Sequence, residues 1–281
     1  MSTSLQTIRV GHSPDADDAF MFWGLANNII ETRFQFEHIL RDIQTLNEWA
    51  MEGRLETTAV SVHALAHVSD KYAVLRHGGS FGEDYGPMLV SSREMSVDEL
   101  RDQTIAIPGL LTSAFLQLNL FLPKPKYEVV PFDEIVPAIK EGKFDVGLII
   151  HESQLTWEQE GLFLVADFGK WWKAETGLPL PLGVNVVRKD LGADAIRDIN
   201  RAMRESIRAG LANREKALEY ALQFGRGVSK ETGDEFVGMY VNERTLDMGS
   251  DGKRAIELLL ERGAEAGLLQ PVSLEFIEET D

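Results

Sequence analysis

His151 stands at the end of Gly147-Leu148-Ile149-Ile150, the most apolar strand-like run of the chain, and Glu152-Ser153 follow it. An imidazole has an ordinary pKa near about 6.5, so in a closing cleft it can stay neutral and accept a proton at neutral pH. Ligands of parallel α/β sheets meet the protein at the carboxyl ends of strands, which sets His151 above the other histidines as a general base. The plainer account is a histidine that ends its strand by hydrogen bonding. Thr112-Ser113 follow the turn Pro108-Gly109 at a predicted helix start, where free backbone N–H groups and the helix dipole favour an anion. Helix capping, worth about 1 kcal/mol, accounts for the same hydroxyls. Ser61 repeats the situation after Thr57-Thr58-Ala59-Val60, so the two hydroxyl-bearing helix starts read as a facing pair, one per lobe.

A third loop, Ser13-Pro14-Asp15-Ala16-Asp17-Asp18, supplies clustered carboxylates. One of them caps the following helix, leaving another free for ligand hydroxyls. Without the glycine and distal glutamate of a calcium loop the cluster is a weak metal signal. His63 and His67 share a helix face with no His-Glu-x-x-His pattern, so no metal is expected there either. Trp171-Trp172 read as lobe packing or as cover for an aromatic ligand. Arg197, Arg201, Arg204 and Arg208 read as a solvated helix face paired with Asp194, Asp198 and Glu205.

Positioning these groups requires alternating strands and helices. Short β-branched runs at Ile8–Gly11, Phe34–Leu40 and Thr57–Ser61 alternate with helical periodicity over 15–25, 42–51 and 62–68. The pattern predicts a mainly parallel sheet. Gly78–Gly82 reads as flexible, Pro87–Ser92 as a strand, and Ser96 to Glu99 as a capping box opening a helix. Strands at 104–107, 127–130, 144–150 and 162–167 and helices at 112–121 and 132–141 repeat the logic in a second lobe. Gly177–Gly183 breaks regular structure before the extended run Val184–Arg188, and helices fill the rest of the chain from 195 onward. Crossings between lobes are expected at 89–93 and 184–188. This gives a discontinuous first lobe, 1–92 plus 186–281, embracing a second, 93–185.

The length of 281 residues suits two lobes around one cleft. With 45 acids against 28 bases the net charge is −17, which repels nucleic acid and anionic membranes. The absence of cysteine excludes disulfides and thiolate chemistry. The opening residues Met1–Val10 lack the basic and apolar regions of a secretory signal, and no apolar run of membrane-spanning length follows, so a cytoplasmic location is expected. The expected partner is a small molecule, and homodimerisation is left open.

Four stretches resemble the 1,4-dihydroxy-6-naphthoate synthase family of the futalosine route to menaquinone. They are Ser13-Pro14-x-x-x-Asp18-x-Phe20, Asp42-x-x-Thr45-Leu46-Asn47-x-Trp49-Ala50, Ala106-x-Pro108-Gly109-x-x-Thr112 and Gly147-Leu148-Ile149-Ile150-His151-Glu152. The resemblance implies a two-lobe α/β fold of the type II periplasmic-binding-protein kind, with a central ligand cleft and two hinge crossings. It also implies a cofactor-free lyase that converts cyclic de-hypoxanthine futalosine to 1,4-dihydroxy-6-naphthoate. By that likeness His151 matches the proton acceptor. Ala59, Val60, Ser61, Thr112 and Ser113 match substrate-binding positions, and Ser13, Asp17 and Asp18 lie in the matching opening loop. Two departures stand out. The family's loop commonly reads Ser-Pro-Cys-Pro-Asn-Asp, and a lysine common two residues before the matching serine is Ala59 here. The alternative is a non-enzymatic receptor for a small carboxylated ligand on the same fold, which would need export.

Overall fold

The structure is a computed structural model and describes residues 5–224 and 229–278. Met1–Ser4, the first four of the ten residues read for a secretory signal, therefore lie outside the described residues. Among those described, the strands in chain order are β1 (Gln6–His12), β2 (Phe34–Leu40), β3 (Thr57–Ser61), β4 (Tyr72–Val74), β5 (Ser80–Gly82), β6 (Met88–Ser91), β7 (Thr104–Ile107), β8 (Lys126–Val129), β9 (Val146–Ile149), β10 (Phe163–Asp167) and β11 (Leu180–Arg188). They form two sheets, one per lobe. The first runs β2-β1-β3-β11-β4 with β5 also on β11, and the second runs β10-β6-β9-β7-β8.

The repeating strand-and-helix units give the parallel pairs β1 with β2, β1 with β3, β7 with β8 and β7 with β9. The sheets are mixed rather than mainly parallel, because β11 enters antiparallel to β3 and β6 antiparallel to β9. Those two strands adjoin the crossings, where the chain arrives from the other lobe. Local chemistry explains the helices that follow the parallel strands. Asp42 accepts the amide of Thr45 at 3.0 Å and starts the helix Ile43–Met51, which buries Leu46 and Ala50 one turn apart. The helix Ala193–Ala212 buries Ile196, Ile199, Met203 and Ile207, and its opposite face pairs Arg201 with Asp198 and Arg208 with Glu205, as the arginine stripe predicts.

Several expectations need correcting. Ser80–Gly82, read as flexible, is a strand held by β11. Ser96 and Glu99 do pair, yet they open only a five-residue 3-10 helix, Asp98–Asp102. A helix at Phe168–Thr176 has no counterpart in the sequence reading; Asp167 caps it by accepting the amides of Gly169 and Lys170. Trp172 on this helix is fully buried, and Trp171 packs edge-on against Phe121, so the tryptophan pair is core. The crossings also move. β6 pairs with β9 and β10, placing 88–92 in the second lobe, so the first crossing falls at 83–87. All of β11 lies in the first sheet, placing 180–185 in the first lobe, and the return runs through 168–179. An extended apolar run looks the same whether it is a hinge or a strand; only the pairing partner tells them apart.

No helix of the described residues is long and apolar enough to cross a membrane. The core is continuous between the lobes, where Val62 and Leu65 join one cluster with Ala114, Leu116 and Leu118. The two crossings touch directly: Phe168 donates its amide to the Pro87 carbonyl at 3.0 Å, and a Cβ placed on Gly169 would lie 2.0 Å from the Tyr85 carbonyl. Backbone cannot yield there as a side chain can. Gly169→Ala is expected to lower unfolding free energy by about 1–3 kcal/mol, the usual range for overpacking. Urea denaturation measures this; a loss within about 0.5 kcal/mol, typical of an uneventful surface change, would mean the approach is relaxed.

Candidate active site

The loops that leave β1, β3, β7 and β9 at their carboxyl ends meet between the lobes around a cleft of about 760 Å³, counting its open mouth. All nine residues predicted for the site, Ser13, Asp17, Asp18, Ala59, Val60, Ser61, Thr112, Ser113 and His151, line this cleft. No lysine or arginine among the described residues does.

His151 sits in the turn between β9 and the short helix Ser153–Thr156, with φ +59°. That left-handed backbone is uncommon for residues other than glycine, although histidine is among those that adopt it more often. The ring of Phe132 meets the imidazole edge-on at 4.7 Å, and Asp15 Oδ2 lies 3.2 Å from Nδ1. This contact crosses the lobes, because Asp15 belongs to the loop after β1. Asp15 also caps the helix Ala16–Met21, accepting the Asp18 amide at 3.4 Å. With Nδ1 engaged, Nε2 is the nitrogen left for a ligand.

Asp15, Asp17 and Asp18 can bring one oxygen each to within 4.8 Å of one another. Their oxygens are largely committed: Asp18 Oδ2 accepts the Ser13 amide at 2.7 Å, and Asp15 serves its cap and His151. Burial first, then the neighbouring Asp15 and Asp18 carboxyls, push Asp17 well above the usual carboxylate range. Burial and Asp15 do the same to Asp18. Asp17 Oδ1 is buried without a hydrogen-bond partner, as is Asn185 Oδ1 on the opposite wall. Both are acceptor oxygens, and an unmet buried polar atom costs about 1–3 kcal/mol.

The hydroxyls predicted to grip an anion are mostly occupied. Thr112 Oγ1 donates to the Gly109 carbonyl at 2.9 Å and accepts the Phe115 amide at 3.2 Å, so here the cap account holds. Ser113 Oγ donates to the Leu182 carbonyl and accepts the His63 amide across the lobe boundary. What Ser113 and Ala114 offer instead are first-turn amides, which have no acceptor within their own helix. Ser61 does not cap its helix; its Oγ accepts from Asn47 Nδ2 at 3.0 Å, keeping its proton for another acceptor. Ala59 and Val60 form the β3 wall opposite Asn185 and Val184 of β11.

Sequence reasoning passed over Asp15 as a partner for His151, and it passed over Asn47, Asn185, Gln154 and Tyr240. Asn47 lies in one of the resemblance stretches, so a signal for it existed. Tyr240 donates to Gln154 Oε1 at 2.6 Å, a further polar bridge between lobes, in the same cleft as His151. Neither residue has a local pattern that marks it.

Two lobes, two crossings and a cleft at strand ends define a protein of the periplasmic-binding-protein architecture. The fold superposes on the alkanesulfonate-binding protein of Xanthomonas axonopodis pv. citri with a TM-score of 0.69 at 12% identity, covering 96% of both chains. A profile of the menaquinone biosynthesis family matches residues 8–265, and the chain belongs to that family. It is 39% identical over 267 residues to a 1,4-dihydroxy-6-naphthoate synthase of Thermus thermophilus, across 95% of this chain and 97% of that one. A crystal structure of a protein from Archaeoglobus fulgidus superposes with a TM-score of 0.91 at 40% identity, covering 95% of this chain and all of that one.

The elevated Asp17 sets a pH dependence. Below the ordinary aspartate value of about 3.9 the group is neutral both folded and unfolded. As pH rises past that value the unfolded chain sheds its proton while the folded one resists, so stability falls until the folded group also ionises. Asp17→Asn removes this loss. The variant is expected to melt above wild type at pH 7–8 and to converge with it near pH 3, as followed by scanning calorimetry; a constant offset at every pH would contradict the assignment.

Proposed function

We propose that the chain is a 1,4-dihydroxy-6-naphthoate synthase, a carbon–carbon lyase acting on cyclic de-hypoxanthine futalosine. The observation that carries the reading is His151, held at the mouth of β9 beside Asp15 with one nitrogen left for a ligand of the interlobe cleft. The family's other features support it. Relatives bearing that name cover nearly the whole chain, whereas the likeness to solute receptors is one of fold alone.

In this reading His151 Nε2 takes a proton from the substrate skeleton. The released electron pair drives rupture of the bond to the ribose-derived portion, and the ring left behind becomes aromatic. Asp17 and Asn185 receive substrate hydroxyls, with Asp18 and Ser13 fixing that loop. Ser61 and the amides at Ser113 and Ala114 hold the carboxylate, a task left to neutral donors where the family's lysine is replaced by Ala59. Ala59 and Val60 flank the ring system. Closure of the lobes excludes water that could intercept the intermediate. The ligand is a small molecule rather than nucleic acid, given the net charge of −17, and the compartment is the cytoplasm.

Incubation with cyclic de-hypoxanthine futalosine, followed by chromatography, is expected to yield the naphthoate. Folded wild-type protein that binds the compound without converting it would favour the receptor. A positioned base is worth about 10²–10⁴-fold, so His151→Ala should lose turnover on that scale and still show a thermal shift with the naphthoate. Near-normal turnover by the variant would remove His151 from the mechanism.

A further inference from the structure

We infer that Asp15 is a positioning residue for His151: it reaches across the lobe boundary, fixes the ring with its proton on Nδ1, and so presents a bare Nε2 to the substrate. The inference rests on the proposed role of His151 and adds a residue that the family likeness does not supply, since the family commonly carries cysteine at this place in the loop. Asp15 and His151 lie 3.2 Å apart, on lobes joined here by side chains and not by a shared strand. Asp15 is 2% exposed, so little water competes for its oxygens.

The carboxyl group is itself held. Its Oδ1 accepts the Asp18 amide and its Oδ2 faces the imidazole, so a turn of the side chain would break the cap as well as the bridge. An acceptor at Nδ1 forces the neutral ring to carry its proton there, because a neutral imidazole has one donor and one acceptor nitrogen. The Phe132 edge and the left-handed backbone of His151 leave the ring few other orientations. The remaining ionisable groups at this end of the cleft are Asp17, Asp18, Glu152 and Tyr240. None of them has a hydrogen bond to the imidazole among the described residues.

Asp15→Asn tests this, because asparagine caps helices as well as aspartate does and the loop keeps its fold. Its amide can turn an N–H toward Nδ1, which favours the wrong tautomer. Nitrogen-15 NMR of ligand-free wild type at neutral pH should show His151 protonated on Nδ1 and bare on Nε2, and the variant should lose that preference. In turnover, kcat should fall by about 10²-fold or more, as for wrong-tautomer changes in other His–Asp pairs, with KM within about threefold. A wild-type ring protonated on Nε2, or a variant with unchanged tautomer and kcat, would overturn the inference. The NMR arm needs no substrate, so a failure of the proposed reaction and a failure of the positioning role are told apart.

Discussion

The antiparallel ladder between β3 and β11 pairs Ser61 with Gly183 and Thr57 with Val187, and through it the chain re-enters the first sheet after building the second. Both walls of the cleft follow from that ladder. β3 delivers Ala59, Val60 and Ser61, β11 delivers Leu182 to Asn185, and the returning strand ties the second lobe to the first at the depth where Ser113 meets the Leu182 carbonyl. With the lobes set at this spacing, the loop after β1 and the turn after β9 come within hydrogen-bonding reach. A different register here would move a whole face of side chains, since a one-residue slip turns inward groups outward.

The cleft gathers aspartates, and among the described residues no lysine or arginine lines it, an unusual setting for a carboxylated ligand. Its polarity is nonetheless divided. Amides and the Ser61 hydroxyl stand on the side of the helix starts, and acceptors without donors, Asp17 and Asn185, stand elsewhere on the wall. A ligand with both an acid group and hydroxyls can satisfy both sides in one orientation and not in the reverse. The buried aspartates also destabilise the empty protein at neutral pH, a strain that groups arranged for binding commonly carry.

Much of this was legible in the sequence, because strand and helix periodicity and the positions of loops are local properties. The units from β1 to the helix Val62–Val68 needed only alternation and capping signals, and Ser61, Thr112, Ser113, His151 and the opening loop came from the same reasoning, whereas Ala59 and Val60 came from the family resemblance. What escaped was set by distant pairing. Ser80–Gly82 and Leu180–Gly183 became strands because they found each other across the chain, and the crossings shifted with them. Asp15 reads as a cap in sequence, which it is; its second contact depends on a residue 136 positions later, a separation no local pattern encodes.

The backbone of His151 carries a consequence of its own. At φ +59° any side chain costs more than glycine would, a cost that Asn28 and Lys124 bear elsewhere in the chain. Glycine in place of His151 would therefore ease the turn after β9 while removing the ring that meets Asp15 and Phe132, so the bridge between the lobes and the comfort of this turn pull in opposite directions.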